Sequence, residues 1–330
     1  MDEPVSISFW GSPYISSLLL EELIKDKKFN IKFVVTQEDK PRVHRGRSSA
    51  ESDPTPVKVV ALRNNIPVYT PASLKKCDDL LSEWKQYQVM FHTVFAYGKI
   101  IPEKIISSAK MGTLNFHASL LPLLRGASPI EYTLLNGFSR TGWTLQKMVY
   151  QLDAGGILKQ TSLSVSDEDT TSSLTQKLMD QLLQIAPLTL LEYSQNQLKE
   201  TPQKESDATH CTKLDSSMGQ IEWNEPMLKL RNQFRALQER PGVFTHFQNK
   251  KMKLTIDTQI PLSEYKKFTP NQPGAIGSTE NNLLWVECGD QKFIPVNQIQ
   301  PEGKKKLSAI DFSNGYRISS GAKFENIFSS

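Results

Sequence analysis

Residues 115–122 read Asn115-Phe116-His117-Ala118-Ser119-Leu120-Leu121-Pro122, and residues 152–156 read Leu152-Asp153-Ala154-Gly155-Gly156. Residues 111–116 form a short apolar run after the helical pattern of 101–108, which predicts a strand. Alternate strand residues share a face, so Asn115 and His117 project together at the strand's C-terminal end. Open α/β sheets place their ligands at that end. A carboxylate arriving on a separate loop, Asp153, can orient the imidazole and support its charged form. Amide, imidazole and carboxylate make a usable trio without a metal or a covalent nucleophile.

The pattern around this stretch alternates. Strands are predicted at Val5–Trp10, 31–35, 67–69 and 89–95, with helices at 15–25, 56–64 and 74–84. Ser12-Pro13 reads as an N-cap followed by proline at the first helical position. Residues 142–149 and 157–163 read as strands on either side of the Asp153 loop, and a long amphipathic helix is predicted from about 170 to 194. Such alternation predicts an α/β, Rossmann-like domain with a mostly parallel sheet. No GxGxxG follows the first strand, so a dinucleotide cofactor is disfavoured.

Residues 195–209 are polar and lack an apolar period, which is a linker composition. Beyond them, 226–237 reads as a helix, and 243–247, 252–256, 283–288 and 292–296 read as short strands. That spacing predicts a small, OB-like β-barrel. The expected domains are 1–194, a linker at 195–209, and 210–330. Residues 37–55 form a long connection for an α/β unit. It carries Arg42, Arg45 and Arg47 among several acidic residues, and reads as a binding loop or a solvated insertion.

Composition narrows the class. The chain has 330 residues, enough for two domains with real cores. No apolar run reaches the roughly 20 residues needed to span a bilayer, and the N-terminus has neither a signal nor a transit pattern, so a bacterial cytoplasmic protein with no membrane partner is expected. Cys77, Cys211 and Cys288 are scattered, and the five histidines lack metal-ligand spacing, so no metal is expected. Residues 1–207 hold 23 Lys/Arg and 23 Asp/Glu, whereas 208–330 hold 16 and 12. The whole net charge of +4 thus lies in the C-terminal third, a weak pointer to a polyanion.

Taken together these residues resemble the methionyl-tRNA formyltransferases. Gly11-Ser12-Pro13, Thr36-Gln37, Pro54-Thr55-Pro56-Val57-Lys58 and Ala96-Tyr97-Gly98 occur in the family's order. So do Asn115 to Pro122, Arg125-Gly126-Ala127-Ser128-Pro129-Ile130, Thr141-Gly142 and Leu152-Asp153-Ala154-Gly155. In the last third, Lys213-Leu214, Ile221-Glu222-Trp223, Arg235-Ala236-Leu237, Arg240-Pro241-Gly242 and Gly303-Lys304-Lys305 resemble the appended barrel domain. The chain departs at Leu123 and Leu124, where the family commonly has an arginine and an aromatic, and at Gly156, commonly acidic.

The resemblance implies formyl transfer from 10-formyltetrahydrofolate, a consumed cosubstrate, to the amino group of methionyl initiator tRNA. It implies Asn115, His117 and Asp153 as catalytic residues. It also implies a folate or substrate pocket drawn from Phe95, Tyr97, Gly98, Ser119, Leu120, Leu121 and Pro122. Transfer RNA would be met by Arg42, Arg45, Arg47, Lys304 and Lys305. A monomer with no DNA partner is expected. Ser119 reads equally as a cap of the Leu-Leu-Pro turn, and Arg125 as a structural ion-pair partner. Two other readings stand beside this one: a sugar-nucleotide N-formyltransferase, and a non-catalytic RNA-binding protein on the same scaffold.

Overall fold

The computed structural model describes residues 3–44, 47–75, 77–269, 271–319 and 321–326. They divide into two compact units. The first comprises the chain up to Gly126 with Gly142–Leu163 and Gln176–His210. The second comprises Ala127–Thr141, Ser164–Thr175 and the chain from Cys211 onward. These units interleave along the chain, unlike the consecutive segments that composition suggested.

Up to residue 164 the strands are β1 (Val5–Trp10), β2 (Phe29–Val35), β3 (Lys40–His44), β4 (Arg47–Asp53), β5 (Val68–Tyr69), β6 (Phe91–Val94), β7 (Thr113–His117), β8 (Arg125–Gly126), β9 (Arg140–Lys147) and β10 (Gly156–Ser164). Seven of them form one sheet in the order β10-β9-β7-β6-β1-β2-β5. The pairs β1–β2, β2–β5, β1–β6 and β6–β7 are parallel, and β9 runs antiparallel to β7. The chain builds outward from β1 to β5, then returns to lay β6 on the other side of β1. Strand order therefore reverses between β1 and β6, and a crevice opens beyond their C-terminal ends.

The helices covering this sheet follow from the sequence pattern. In α1 (Tyr14–Lys25) the buried residues Ser16, Leu19, Leu20 and Leu23 recur at helical spacing. The start of α2 (Pro56–Arg63) is fixed by Thr55, whose hydroxyl accepts from Lys58 N at 3.2 Å, with proline next. Two short helices, α3 (Asp78–Lys85) and α4 (Glu103–Ile106), lead into β6 and β7. Under them Trp10, Phe33 and Trp84 pack together. Trp10 meets Trp84 edge-on at 5.3 Å, and Phe33 stacks on Trp84 at 5.3 Å.

Two local expectations change. Ser12 does not cap α1: Pro13 holds the N-cap position and no side chain caps it. The Ser12 hydroxyl instead accepts from Gln37 N at 3.1 Å and donates to Tyr97 O at 3.4 Å. It sits where the strands stop pairing, and backbone groups there need a partner more than the helix does. The connection 37–55 is not an open loop but holds the antiparallel hairpin β3–β4, with Lys40 opposite Asp53 and His44 opposite Arg47.

The remaining strands are β11 (His210–Cys211), β12 (Val243–Phe247), β13 (Lys250–Ile256), β14 (Ile276–Glu280), β15 (Leu283–Glu287), β16 (Phe293–Pro301) and β17 (Leu307–Ser308). Helices α5 (Pro129–Leu135), α6 (Thr171–Ser194), α7 (Met227–Leu237) and α8 (Ala309–Gly315) complete the order. The second unit's sheet is antiparallel, ordered β12-β13-β16-β15-β14, with β17 on β16. Its two edges are bridged by the chain's last described residues. Glu325 N donates to His246 O on β12 at 2.9 Å, and Ile276 N on β14 donates to Ala322 O at 3.0 Å. Such bridging removes open edges, as a small barrel requires. The period-2 burial of β13, with Met252, Leu254 and Ile256 inside, supplies its core. No helix among the described residues is long and apolar enough to cross a membrane.

Candidate active site

Strand β7 ends at the crevice and carries Asn115 and His117 on one face. Register extends that face to the next strand: Asn115 lies opposite Gln146 of β9, and His117 opposite Thr144. Cross-strand partners share a face, so an amide, an imidazole, a second amide and a hydroxyl line up at the strand ends. Phe116 and Leu114 point the other way into the core.

The imidazole of His117 is 5% exposed and doubly constrained. Its Nε2 lies 2.8 Å from Leu124 O. A carbonyl only accepts, so Nε2 carries the proton. Nδ1 is therefore the nitrogen left for chemistry, and it lies 3.5 Å from Asp153 Oδ2. That gap is longer than a charge-assisted hydrogen bond of about 2.7–2.9 Å. Nδ1 is thus near Asp153 without being saturated by it.

The Asp153 carboxylate is aimed by two hydrogen bonds. Oδ2 accepts from Gly126 N at 2.9 Å, and Oδ1 accepts from Gln146 Nε2 at 2.8 Å. Its backbone takes φ of 49°, the left-handed region unusual for a residue with a side chain. The turn is pressed against β9: a Cβ on Gly155 would sit 1.9 Å from Lys147 O. Glycine is required there. Asn115 is half-buried, and its amide makes no hydrogen bond among the described residues. It is the unspent donor of the site.

Beside Asp153 lies a cavity of about 230 Å³, lined by Ile100, Ile101, Ile106, Met148, Leu152 and Gln146 among others. Ile100, Tyr150 and Leu152 are largely exposed around it. Exposed apolar side chains gathered at a cleft mark a ligand surface.

The structure brings Asn115, His117 and Asp153 together, while the expected pocket residues are not among those that line the cavity beside Asp153. Phe95 and Tyr97 are 3% and 2% exposed and belong to the core, packed edge-on against Trp143 and Trp10. Burial pushes the Tyr97 phenol up to about 12. Ser119 donates to Leu123 O at 2.6 Å and so closes its own turn. Leu121 is buried, with its N bonded to Thr144 Oγ1 at 3.1 Å. Leu120 and Pro122 are half-buried beside it. None of these lines the cavity beside Asp153. Gly98 has φ of 77°, and a Cβ there would meet Gln37 Nε2 at 2.6 Å, so its glycine serves the backbone. The cavity residues Ile100, Met148 and Leu152 were missed because a one-sided apolar wall carries no periodic signal. Their flanking position around the Asp153 loop was the available clue.

Two of the three departures noted in the sequence have a defined local setting, and nothing in the structure explains Leu123. Leu124 is buried at φ 57°, and its carbonyl is the acceptor for His117. A Cβ on Gly156 would lie 2.3 Å from Glu200 Cγ, so the Glu200 side chain already fills the space an acidic residue would take. Of the residues expected to meet RNA, Lys304 and Lys305 are exposed on the turn after β16. Arg45 lies outside the described residues, as do the side chains of Arg42 and Arg47.

Comparison with known proteins agrees in both units. The formyl transferase family model matches residues 7–190, and the model of the formyl transferase C-terminal domain matches 213–317. The chain is 35% identical to the methionyl-tRNA formyltransferase of Leptospira interrogans, over 97% of this chain and 100% of the relative. It is 37% identical to that of Thermotoga maritima, over 98% and 99%. Among solved structures, an N-formyltransferase from Helicobacter canadensis complexed with folinic acid and dTDP-3-aminofucose superposes with a TM-score of 0.63 at 17% identity, covering 90% of this chain and 99% of that one. HypX from Aquifex aeolicus in complex with tetrahydrofolic acid gives 0.60 at 13% identity, covering 99% and 51%. These two show likeness of fold.

Proposed function

Because this chain belongs to the methionyl-tRNA formyltransferase family, we infer that it transfers a formyl group from 10-formyltetrahydrofolate to the amino group of methionyl initiator tRNA, a step that serves translation initiation. The observation that carries the mechanism is the pairing of His117 Nδ1 with Asp153 Oδ2 at 3.5 Å, on the same strand face as the uncommitted amide of Asn115.

When an amine adds to a formyl carbon, the formyl oxygen gains negative charge and the nitrogen must lose a proton. Asn115 donates through its NH₂ to that oxygen. His117, charged and protonated at Nδ1, donates to the same oxygen. Asp153 stabilises the charged ring through Oδ2 and takes part in moving the proton from the attacking amine to N10 of the folate. The tetrahedral intermediate then collapses: the bond from the formyl carbon to N10 breaks, the carbonyl re-forms, and tetrahydrofolate leaves with that proton on N10. Gln146 and Gly126 hold the carboxylate in place meanwhile. The cavity walls Ile100, Ile101, Ile106, Met148 and Leu152 suit a flat heterocycle. The exposed Lys304 and Lys305 suit tRNA phosphates.

The test is an acceptor competition. The purified protein is given 10-formyltetrahydrofolate with either charged methionyl-tRNA or a nucleotide-linked amino sugar, and the formylated product is identified by mass. Formylation of the methionyl-tRNA amine is expected. Transfer to the sugar alone, or to neither, would overturn this reading.

A further inference from the structure

The segment 195–209 looks like a linker in composition, but in the structure it straps the catalytic side chains. Ile157 and Thr201 exchange both backbone hydrogen bonds at 2.8 Å, which anchors the strap to β10. Further along, Thr209 reaches the other side of the site. Its hydroxyl accepts from Leu124 N at 2.9 Å and its carbonyl from Arg125 N at 2.9 Å. Leu124 is the residue whose carbonyl holds His117.

Between these anchors lies Gln203. Its Nε2 donates to Asp153 O at 2.8 Å and to Gly155 O at 2.7 Å, spanning the turn that carries the catalytic carboxylate. Its Oε1 accepts from Arg125 Nε at 3.0 Å. The amide's orientation is chemically forced, because carbonyls only accept and a guanidinium only donates. Arg125 is 1% exposed and is itself tied to Glu205 through Nη1 at 3.0 Å. The turn needs such support. Asp153 sits at φ 49°, a left-handed conformation that a residue with a side chain keeps only when its surroundings enforce it.

We propose that Gln203 is a positioning residue for formyl transfer: by bonding both carbonyls of the Asp153–Gly155 turn, it sets where the Asp153 carboxylate stands relative to His117. This rests on the catalytic reading of Asp153. It gives the strap a task in the chemistry beyond joining two parts of the chain. A turn released from Gln203 keeps its charge but loses its aim, and misplacement of a catalytic group by about 1 Å costs on the order of 100-fold in rate.

The experiment compares Gln203→Glu, Gln203→Met and Asp153→Asn in the full-length protein. Glutamate keeps the size and the Arg125 partner but cannot donate to the two carbonyls. Methionine keeps the size and loses all three bonds. Both Gln203 variants should fold, as judged by circular dichroism. Both should lose roughly 10–100-fold in kcat, with KM for donor and for methionyl-tRNA held within about 3-fold. Loss in the methionine variant alone would assign the effect to the Arg125 anchor and overturn the proposal. Loss in the glutamate variant alone would assign it to charge repulsion and overturn it too. An unchanged kcat in both, or a rise in KM that accounts for the loss, does the same. Asp153→Asn separates the two levels. If it is nearly inactive while the Gln203 variants are normal, only this proposal fails. If it turns over like the unaltered protein, the catalytic reading of Asp153 fails and takes the proposal with it.

Discussion

Replacing Asp153 by asparagine removes one charge and almost nothing else, and the geometry shows why. Oδ2 accepts from Gly126 N, and Oδ1 from Gln146 Nε2. An asparagine oxygen can keep the Gly126 bond, and its NH₂ then meets Gln146. Gln146 is buried, and its Oε1 has no hydrogen-bond partner among the described residues. A half-turn of the Gln146 amide presents that oxygen to the new NH₂, so the number of bonds is kept and the unpartnered position passes from Oε1 to Nε2. Stability should therefore change by less than about 1 kcal/mol. What disappears is the interaction of a carboxylate with the imidazole 3.5 Å away when that ring carries a proton on both nitrogens during the reaction. At an effective dielectric near 20, that separation corresponds to roughly 5 kcal/mol as an upper figure. Solvent reaching the cleft and the two remaining oxyanion donors reduce the share felt by the transition state. A loss of about 10²–10³-fold in kcat, or about 3–4 kcal/mol, is expected. The assay measures kcat for methionyl-tRNA formylation beside the thermal midpoint of each protein. A rate within a few-fold of the unaltered enzyme would refute the electrostatic role of Asp153. A rate loss accompanied by a midpoint drop of many degrees would refute the claim that geometry survives.

Asn115→Ala should reduce kcat by about 10²–10³-fold without raising KM for either substrate, because the amide has no partner to lose among the described residues; a change confined to KM would move Asn115 to ground-state binding. Gln146→Met, which deletes the donor to Asp153 Oδ1 at similar volume, should lower kcat and leave the melting midpoint nearly unchanged, and equal activity would show that Gly126 N alone aims the carboxylate. His92 predicts a pH dependence of stability. Burial lowers it from the ordinary 6.5 to about 4, between the hydroxyls of Ser8 at 2.6 Å and Ser108 at 2.8 Å. Above pH 6.5 neither state binds the proton and the stability is full. Between 6.5 and 4 the unfolded chain binds a proton that the native ring refuses, so stability falls, by roughly 3 kcal/mol over the window. Urea midpoints at several pH values should show this slope in the unaltered protein and not in His92→Asn; parallel curves would refute it. Lys304→Ala with Lys305→Ala should make tRNA binding less salt-dependent, by about 0.7–0.9 in log–log slope for each phosphate the two lysines neutralise, while an unchanged slope would remove both lysines from the RNA surface.

Most of what the sequence determined follows from short-range rules. Val5, Ile7, Phe9 and Trp10 mark Val5–Trp10 as a mainly apolar run with small serines between, which suits a central parallel strand covered on both faces, and the strand forms at those bounds. Thr55-Pro56 starts α2 through a cap that needs only its own neighbours. Spacing of two along one strand placed Asn115 and His117 together, and turn chemistry placed Asp153 on a loop. The hairpin β3–β4 was not legible, because its polar strands show no hydrophobic alternation. Other features belong to the tertiary structure because they join residues far apart in the chain. Ser12 leaves the helix it was suited to cap and serves backbone groups from two other loops. Phe95 and Tyr97 look like pocket walls until the aromatic cluster around Trp10 and Trp143 closes over them. The polar run 195–209 resembles a linker because its partners are main-chain carbonyls and amides, which no side-chain pattern reveals. Only the folded chain shows Gln203 and Thr209 holding the turns that carry Asp153 and Leu124. Local propensity and periodicity write themselves into the sequence one neighbour at a time. Hydrogen bonds between segments, such as the 50 residues from Asp153 to Gln203, leave no such trace and are decided only when the chain has folded.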